Sequence, residues 1–214
     1  MAGINAEMTP KELMDSFVPE LISSKLAGVE FAPLQGTIQV DVLGAGQWVA
    51  TIEGGRPSLK PGKAEAPWVT VVVSDAALRM GIGRAAGEIG DSASVKVSGL
   101  ARQMADNLTQ QIIDTIRAQV KGTIKFAVAT ADGAEEFVLL GFDSVNRDAP
   151  TCTVITSERE LIEMAEAGLS PQEAFMGGKI RLEGDMAPVM TLAMSAMPLI
   201  QPGMAFLSKY VKRR

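Results

Sequence analysis

The chain contains no histidine. That removes the commonest general base and the commonest metal ligand, and with them a Ser-His-Asp triad and a Cys-His zinc site. Cys152 is the only cysteine, so no intramolecular disulfide forms. Aromatics make up only 5% of the residues, so aliphatic side chains and the 12 methionines must supply most of the core. Long apolar runs are missing as well. No uninterrupted stretch of about 18 apolar residues exists, which argues against a membrane-spanning helix. Positive charge is sparse, with 20 basic against 25 acidic side chains and a net charge of −5. The one basic cluster, Val211 to Arg214, is too short for a phosphate-tracking surface, so nucleic acid is not an expected partner. The first 25 residues carry Glu7, Glu12, Asp15 and Glu20 without a signal-type apolar core, and the expectation is a cytoplasmic chain.

What is present suits a folded core. Apolar residues make up 47% of 214, enough for one domain or two small ones. Residues 9–27 read as a helix, with Thr9 and Glu12 as a capping box, Pro10 in the first turn and Pro19 as a kink. Residues 36–42 alternate, with Ile38, Val40 and Val42 on one face and Thr37, Gln39 and Asp41 on the wet one. Gly44 and Gly46 turn the chain into a strand at 47–53 bearing Trp48, and Gly54-Gly55 turns it again towards a short strand at 56–60. A strongly apolar strand spans 68–74, a short helix starts near Asp75, residues 84–91 read as a loop and 92–98 as a strand. The spacing of Met104, Leu108, Ile112, Ile116 and Val120 predicts a helix over 101–120.

The pattern then restarts. Gly36-Thr-Ile aligns with Gly122-Thr-Ile at an offset of 86. The block from Ala66-Pro67 to Leu78 aligns with Ala149-Pro150 to Leu161 at 83, and Ser94–Gly99 with Lys179–Gly184 at 85. Three blocks in one order at nearly constant offset indicate an internal duplication. The boundaries read as an N-terminal helix at 1–32, repeat one at 33–120, repeat two at 121–205 and a basic tail at 206–214.

Repeat two carries the densest signal. Thr151–Ser157 reads as a strand, and Ser157 with Glu160 as a capping box. Leu161, Ile162, Met164 and Ala165 form the apolar stripe of the helix that follows, and Gly168 ends it. Pro171 opens a short helix through Phe175. Ile180 and Leu182 then alternate with Lys179, Arg181 and Glu183, and Asp185 caps a helix over 186–197. This succession, above all Phe175-x-x-Gly178-Lys179-x-x-x-x-Gly184-Asp185, resembles the second half of a sterol carrier protein 2 domain. Repeat one resembles it less: Ser74-Asp75-x-x-Leu78 and Gly99 fit, and Glu88–Ser92 replaces the Phe-x-x-Gly-Lys element. The resemblance implies an α+β fold, a duplicated sterol carrier protein 2-like unit with mostly antiparallel sheets covered by helices. It also implies an apolar tunnel for a sterol, fatty acid, acyl-CoA or similar ligand.

Met186, Met190, Met194 and Met197 recur at spacings of four, four and three, one face of the last helix. Methionine adapts to irregular partners, so this face suits either a core or a deformable pocket wall. With Phe126, Phe142, Phe175, Met176 and Leu182 it makes up the candidate ligand pocket. Trp48, Trp68 and Cys152 read as core, and Lys179 and Arg181 as a wet face or a pocket rim attracting an anionic headgroup. The reading implies no catalytic residue, cofactor or metal. The expected function is noncatalytic binding of an apolar lipid-like molecule. The alternatives are an accessory subunit of a partner enzyme, or a hydratase or isomerase using Glu163, Glu166, Glu173 or Asp185 as a base whose pKa burial would raise.

Overall fold

The computed structural model describes residues 8–25, 34–78, 107–131, 133–167 and 169–196. The expected loop at 84–91, the strand at 92–98 and Met197 lie outside this set. The chain divides into two compact units, Met1–Gln110 and Gln111–Arg214.

The first unit opens with α1 (Pro10–Glu12), a π-helical turn (Leu13–Phe17) and α2 (Val18–Lys25). Thr9 and Glu12 close the capping box from both sides. The expected kink at Pro19 takes the form of this wider turn. The Val18 N–H reaches back five residues to the Leu13 carbonyl, just ahead of a proline that has no N–H to donate. Four strands follow: β1 (Gly36–Val42), β2 (Gly46–Glu53), β3 (Arg56–Pro61) and β4 (Val69–Val73), in the order β3-β2-β1-β4. Both hairpin pairings are antiparallel, and β1–β4 is parallel. Residues 75–78 are helical (α3). The core gathers Met14, Val42, Trp48, Leu59 and Val73, with Val18, Ile22, Ala77 and Leu78 packed against it. Trp48, 2% exposed, donates its indole N–H to Asp15 at 2.7 Å, so the π-helical turn is pinned to the sheet.

Gln39 departs from the expected wet face: it is 4% exposed. Its Oε1 accepts from the Ala64 N–H at 2.7 Å, and its Nε2 donates to Asp41 and to the Trp48 carbonyl. The chain after β3 folds over this face, and the amide satisfies the backbone it meets there.

The second unit opens with α4 (Gln110–Gln119), shorter than the helix expected over 101–120. Its buried face holds Ile113 and Val120, with Ile116 against the core, while Ile112 is only half-buried. Residues four apart drift around a helix of 3.6 residues per turn, so the true face follows spacings of three and four. The helix packs onto the sheet that follows it, through Ile116 and Val120 against Ile124 and Val154.

That sheet runs β6-β5-β7-β8, from β5 (Thr123–Ala129), β6 (Glu135–Gly141), β7 (Cys152–Ser157) and β8 (Arg181–Gly184). Pairs β5–β6 and β7–β8 are antiparallel, and β5–β7 is parallel. The fold is α+β, with the helices packed on mostly antiparallel sheets. Between β7 and β8 lie α5 (Glu158–Ala167) and α6 (Pro171–Met176), and residues 187–196 form α7.

The two units share their register. In the first, Ile38 pairs with Val69 across β1–β4; in the second, Ile124 pairs with Cys152 across β5–β7. These are the positions that the offsets of 86 and 83 equate. The same holds one residue earlier: Trp68 N–H to Thr37 O and Thr151 N–H to Thr123 O are both 2.7 Å.

Candidate ligand-binding region in the second unit

The region is built on three successive helix starts and one helix stop. Ser157 accepts from the Glu160 N–H while Glu160 accepts from the Ser157 N–H at 3.0 Å. Ser170 and Glu173 repeat the arrangement at the start of α6. Asp185 caps α7 by accepting from the Ala187 N–H at 2.9 Å. The stop explains the Phe-x-x-Gly-Lys element. Gly178 adopts φ +71°, and its N–H bonds to the Phe175 carbonyl while the Lys179 N–H bonds to the Ala174 carbonyl. This is the Schellman arrangement, which needs a left-handed residue after the helix. The Lys179 carbonyl then accepts from Thr156 on β7, and its ammonium meets Glu163 on α5 at 2.5 Å.

Phe126, Phe142 and Leu182 come together around Val120, Ile124 and Val154, joined by Ile180, Val189 and Leu192. The other candidate pocket residues stand elsewhere. Helix α7 turns Val189, Leu192 and buried Ala196 inward. Met186, Met190 and Met194 therefore point away from that core, the last two 51% and 75% exposed. Phe175 and Met176 are exposed at the end of α6.

The charged groups are paired rather than free. Lys179 is bound to Glu163 and Arg181 to Glu183, so the wet-face reading of this strand holds. The Lys179 hydrogen bond holds the Glu163 carboxyl below its ordinary value, and the Ser170 side chain does the same for Glu173. The Glu166 side chain lies outside the described set. Cys152 is fully buried, and burial, helped by the Asp185 charge, pushes its thiol up, the reverse of nucleophile activation. Among the described residues no group of three or more Cys, Asp and Glu is placed to hold a metal ion. Among them, too, no helix is long and apolar enough to cross a membrane.

This combination of a buried β5–β7–β8 core, a Schellman stop before β8 and an Asp-capped final helix coincides with a recognisable segment. Residues 102–196 match the SCP-2 sterol transfer family. The match begins ahead of α4, in keeping with the packing of that helix on the second sheet. No curated protein matches the chain. Solved structures similar to it include Sterol Carrier Protein 2 Like 2 from Aedes aegypti, 23% identical, covering 40% of this chain and 93% of that one, with a TM-score of 0.28. The sterol carrier protein domain 2 of Helicoverpa armigera is 22% identical over 47% of this chain and 87% of that one, with a TM-score of 0.31. Sterol Carrier Protein 2 from Yarrowia lipolytica is 16% identical over 38% and 76%, with a TM-score of 0.30. The SCP-2 match, rather than these superpositions, carries the assignment of the segment.

Proposed function

We propose that the second unit binds and carries an apolar, lipid-like molecule of the sterol, fatty acid or acyl-CoA class, without catalysing a reaction on it. The observation that carries this reading is the match of residues 102–196 to the SCP-2 sterol transfer family. The residues proposed for the site fall into two groups, the half-buried Phe126, Phe142 and Leu182 and the outward Phe175, Met176, Met186, Met190 and Met194, with Met197 continuing the spacing. Flexible thioethers suit a wall that adapts to its ligand. A carboxylate-dependent hydratase or isomerase is the weaker reading, because Glu163 and Glu173 are moved away from the neutral range where a general base works best.

The chain reads further as two copies of one unit, 33–120 and 121–205, between an N-terminal segment 1–32 and a basic tail 206–214. Support comes from the shared register of β1–β4 and β5–β7 at the offsets found in the sequence.

Mass spectrometry under native conditions, before and after organic extraction, tests the binding reading, together with titration of fluorescent fatty acid and sterol probes. A retained apolar molecule or saturable probe binding is expected. Neither would sink the carrier reading and favour a subunit whose methionine face contacts another protein.

A further inference from the structure

A second place in the same unit has the shape of a small-molecule site, and none of the proposed lipid-lining residues takes part in it. An open groove of about 500 Å³ lies where the parallel strands β5 and β7 end side by side, Ala129 opposite Ser157. Its lining is Ala129 and Ser157 at the strand ends, Thr130 and Ala131 from the β5–β6 turn, and Glu158, Arg159, Ile162 and Glu163 from α5. The volume falls in the range of ligand pockets, and the apolar groups are what such a pocket needs. Ile162 is the telling residue. The helix buries Met164 and leaves Ile162 44% exposed beside the groove.

The charges decide which ligand fits. Glu163 is held by Lys179 at 2.5 Å and approaches the Arg159 Nε only at 3.7 Å. The side chain of Arg159 is 83% exposed, and its two terminal nitrogens have no hydrogen-bond partner among the described residues. The Ser157 hydroxyl donates to Glu160, and the Thr130 hydroxyl donates to the Ala134 carbonyl. Glu158 is the remaining carboxylate of the lining and has interactions of its own. The guanidinium is thus the charged group with donors to spare, in a fork that matches a carboxylate. Two acids in the lining oppose a polyanion.

We propose that this groove binds a medium-chain monocarboxylate, its chain against Ile162, Ala129 and Ala131 and its carboxylate on the Arg159 guanidinium. The full chain is titrated with octanoate, 1-octanol and inorganic phosphate, following backbone amides by NMR. Octanoate is expected to shift residues 129–131 and 157–163. Arg159→Gln is expected to weaken octanoate about fivefold, the size of one exposed charge pair, and to leave octanol unchanged. Ile162→Gln is expected to weaken both. Both side chains are exposed, so unchanged thermal unfolding serves as the check on folding. Octanoate shifts confined to residues 186–194 would overturn the proposal while leaving the lipid-carrier reading intact. So would equal octanoate affinity in Arg159→Gln, or phosphate alone reproducing the shifts. Octanoate shifts at residues 129–131 and 157–163, from a protein that neither retains a lipid nor binds the fluorescent probes, would support this site and sink the carrier reading.

Discussion

Gly178 and Lys179 make separable contributions at the end of α6. An added Cβ at Gly178 meets nothing within 4 Å, so Gly178→Ala carries only the left-handed backbone penalty, about 1 kcal/mol. Gly122 combines φ +81° with a Cβ site 2.1 Å from the Thr151 Oγ1. Gly122→Ala is therefore expected to cost more, at least about 2 kcal/mol, since the clash adds to the backbone penalty. Chemical denaturation of the two variants checks the order, and equal losses would contradict it. The sequence alone marks both positions as glycine in a family-like motif or a repeat, but not the reason. Residue identity also hid the role of Gln39. Alternation placed it on a wet face, and only the tertiary path of residues 62–66 buries it. By contrast, Cys152 and Trp48 were legible as core because size and hydrophobicity alone favour burial.

Among the elements, starts were more legible than faces. Thr9 with Glu12 and Ser157 with Glu160 are local in the chain, and each forms as its spacing predicts. Ser170 with Glu173 obeys the same rule, and the signal stood in the sequence beside the more conspicuous Pro171. The inward faces of α4 and α5 depend on which neighbour the helix meets: the four-residue spacing found Ile116 and Val120 but passed over buried Ile113, and apolarity pointed to Ile162, which is exposed. Ser157→Ala is expected to lower stability by about 1 kcal/mol through loss of the cap. The capping carboxyls also set a pH dependence. Hydrogen bonds from Thr9, Ser157 and Ser170 hold Glu12, Glu160 and Glu173 below their ordinary values. A depressed folded-state pKa contributes stability that is present above the ordinary carboxylate range and is lost as pH falls through the folded value. Helicity is thus expected to be flat from neutral pH down to about 5 and to fall below about 4. In Ser157→Ala the acid-induced loss should be smaller, as circular dichroism across that range will read.

At the scale of the molecule, the register common to β1–β4 and β5–β7 was visible beforehand as the offsets of 86 and 83 between the sequence blocks. The direction of the methionine stripe was not, since periodicity fixes a face and leaves open what that face meets. Helix α7 separates the two roles. Val189 and Leu192 pack on Ile124, Val154 and their neighbours, while Met186, Met190 and Met194 stand outward. Replacing Met186, Met190 and Met194 together by glutamine removes little buried area, so stability should change by no more than about 1 kcal/mol. Leu192→Ala removes packed methylenes and should cost about 1–3 kcal/mol. If the outward thioethers form the adaptable wall of the proposed lipid site, the triple variant loses probe binding at nearly full stability. Leu192→Ala then behaves oppositely, retaining the wall on a weaker fold. Thermal unfolding and probe titration on the same preparations give both readings. Undiminished probe affinity in the triple variant would take the methionine face out of the site and leave binding to the Phe126, Phe142 and Leu182 side of the unit.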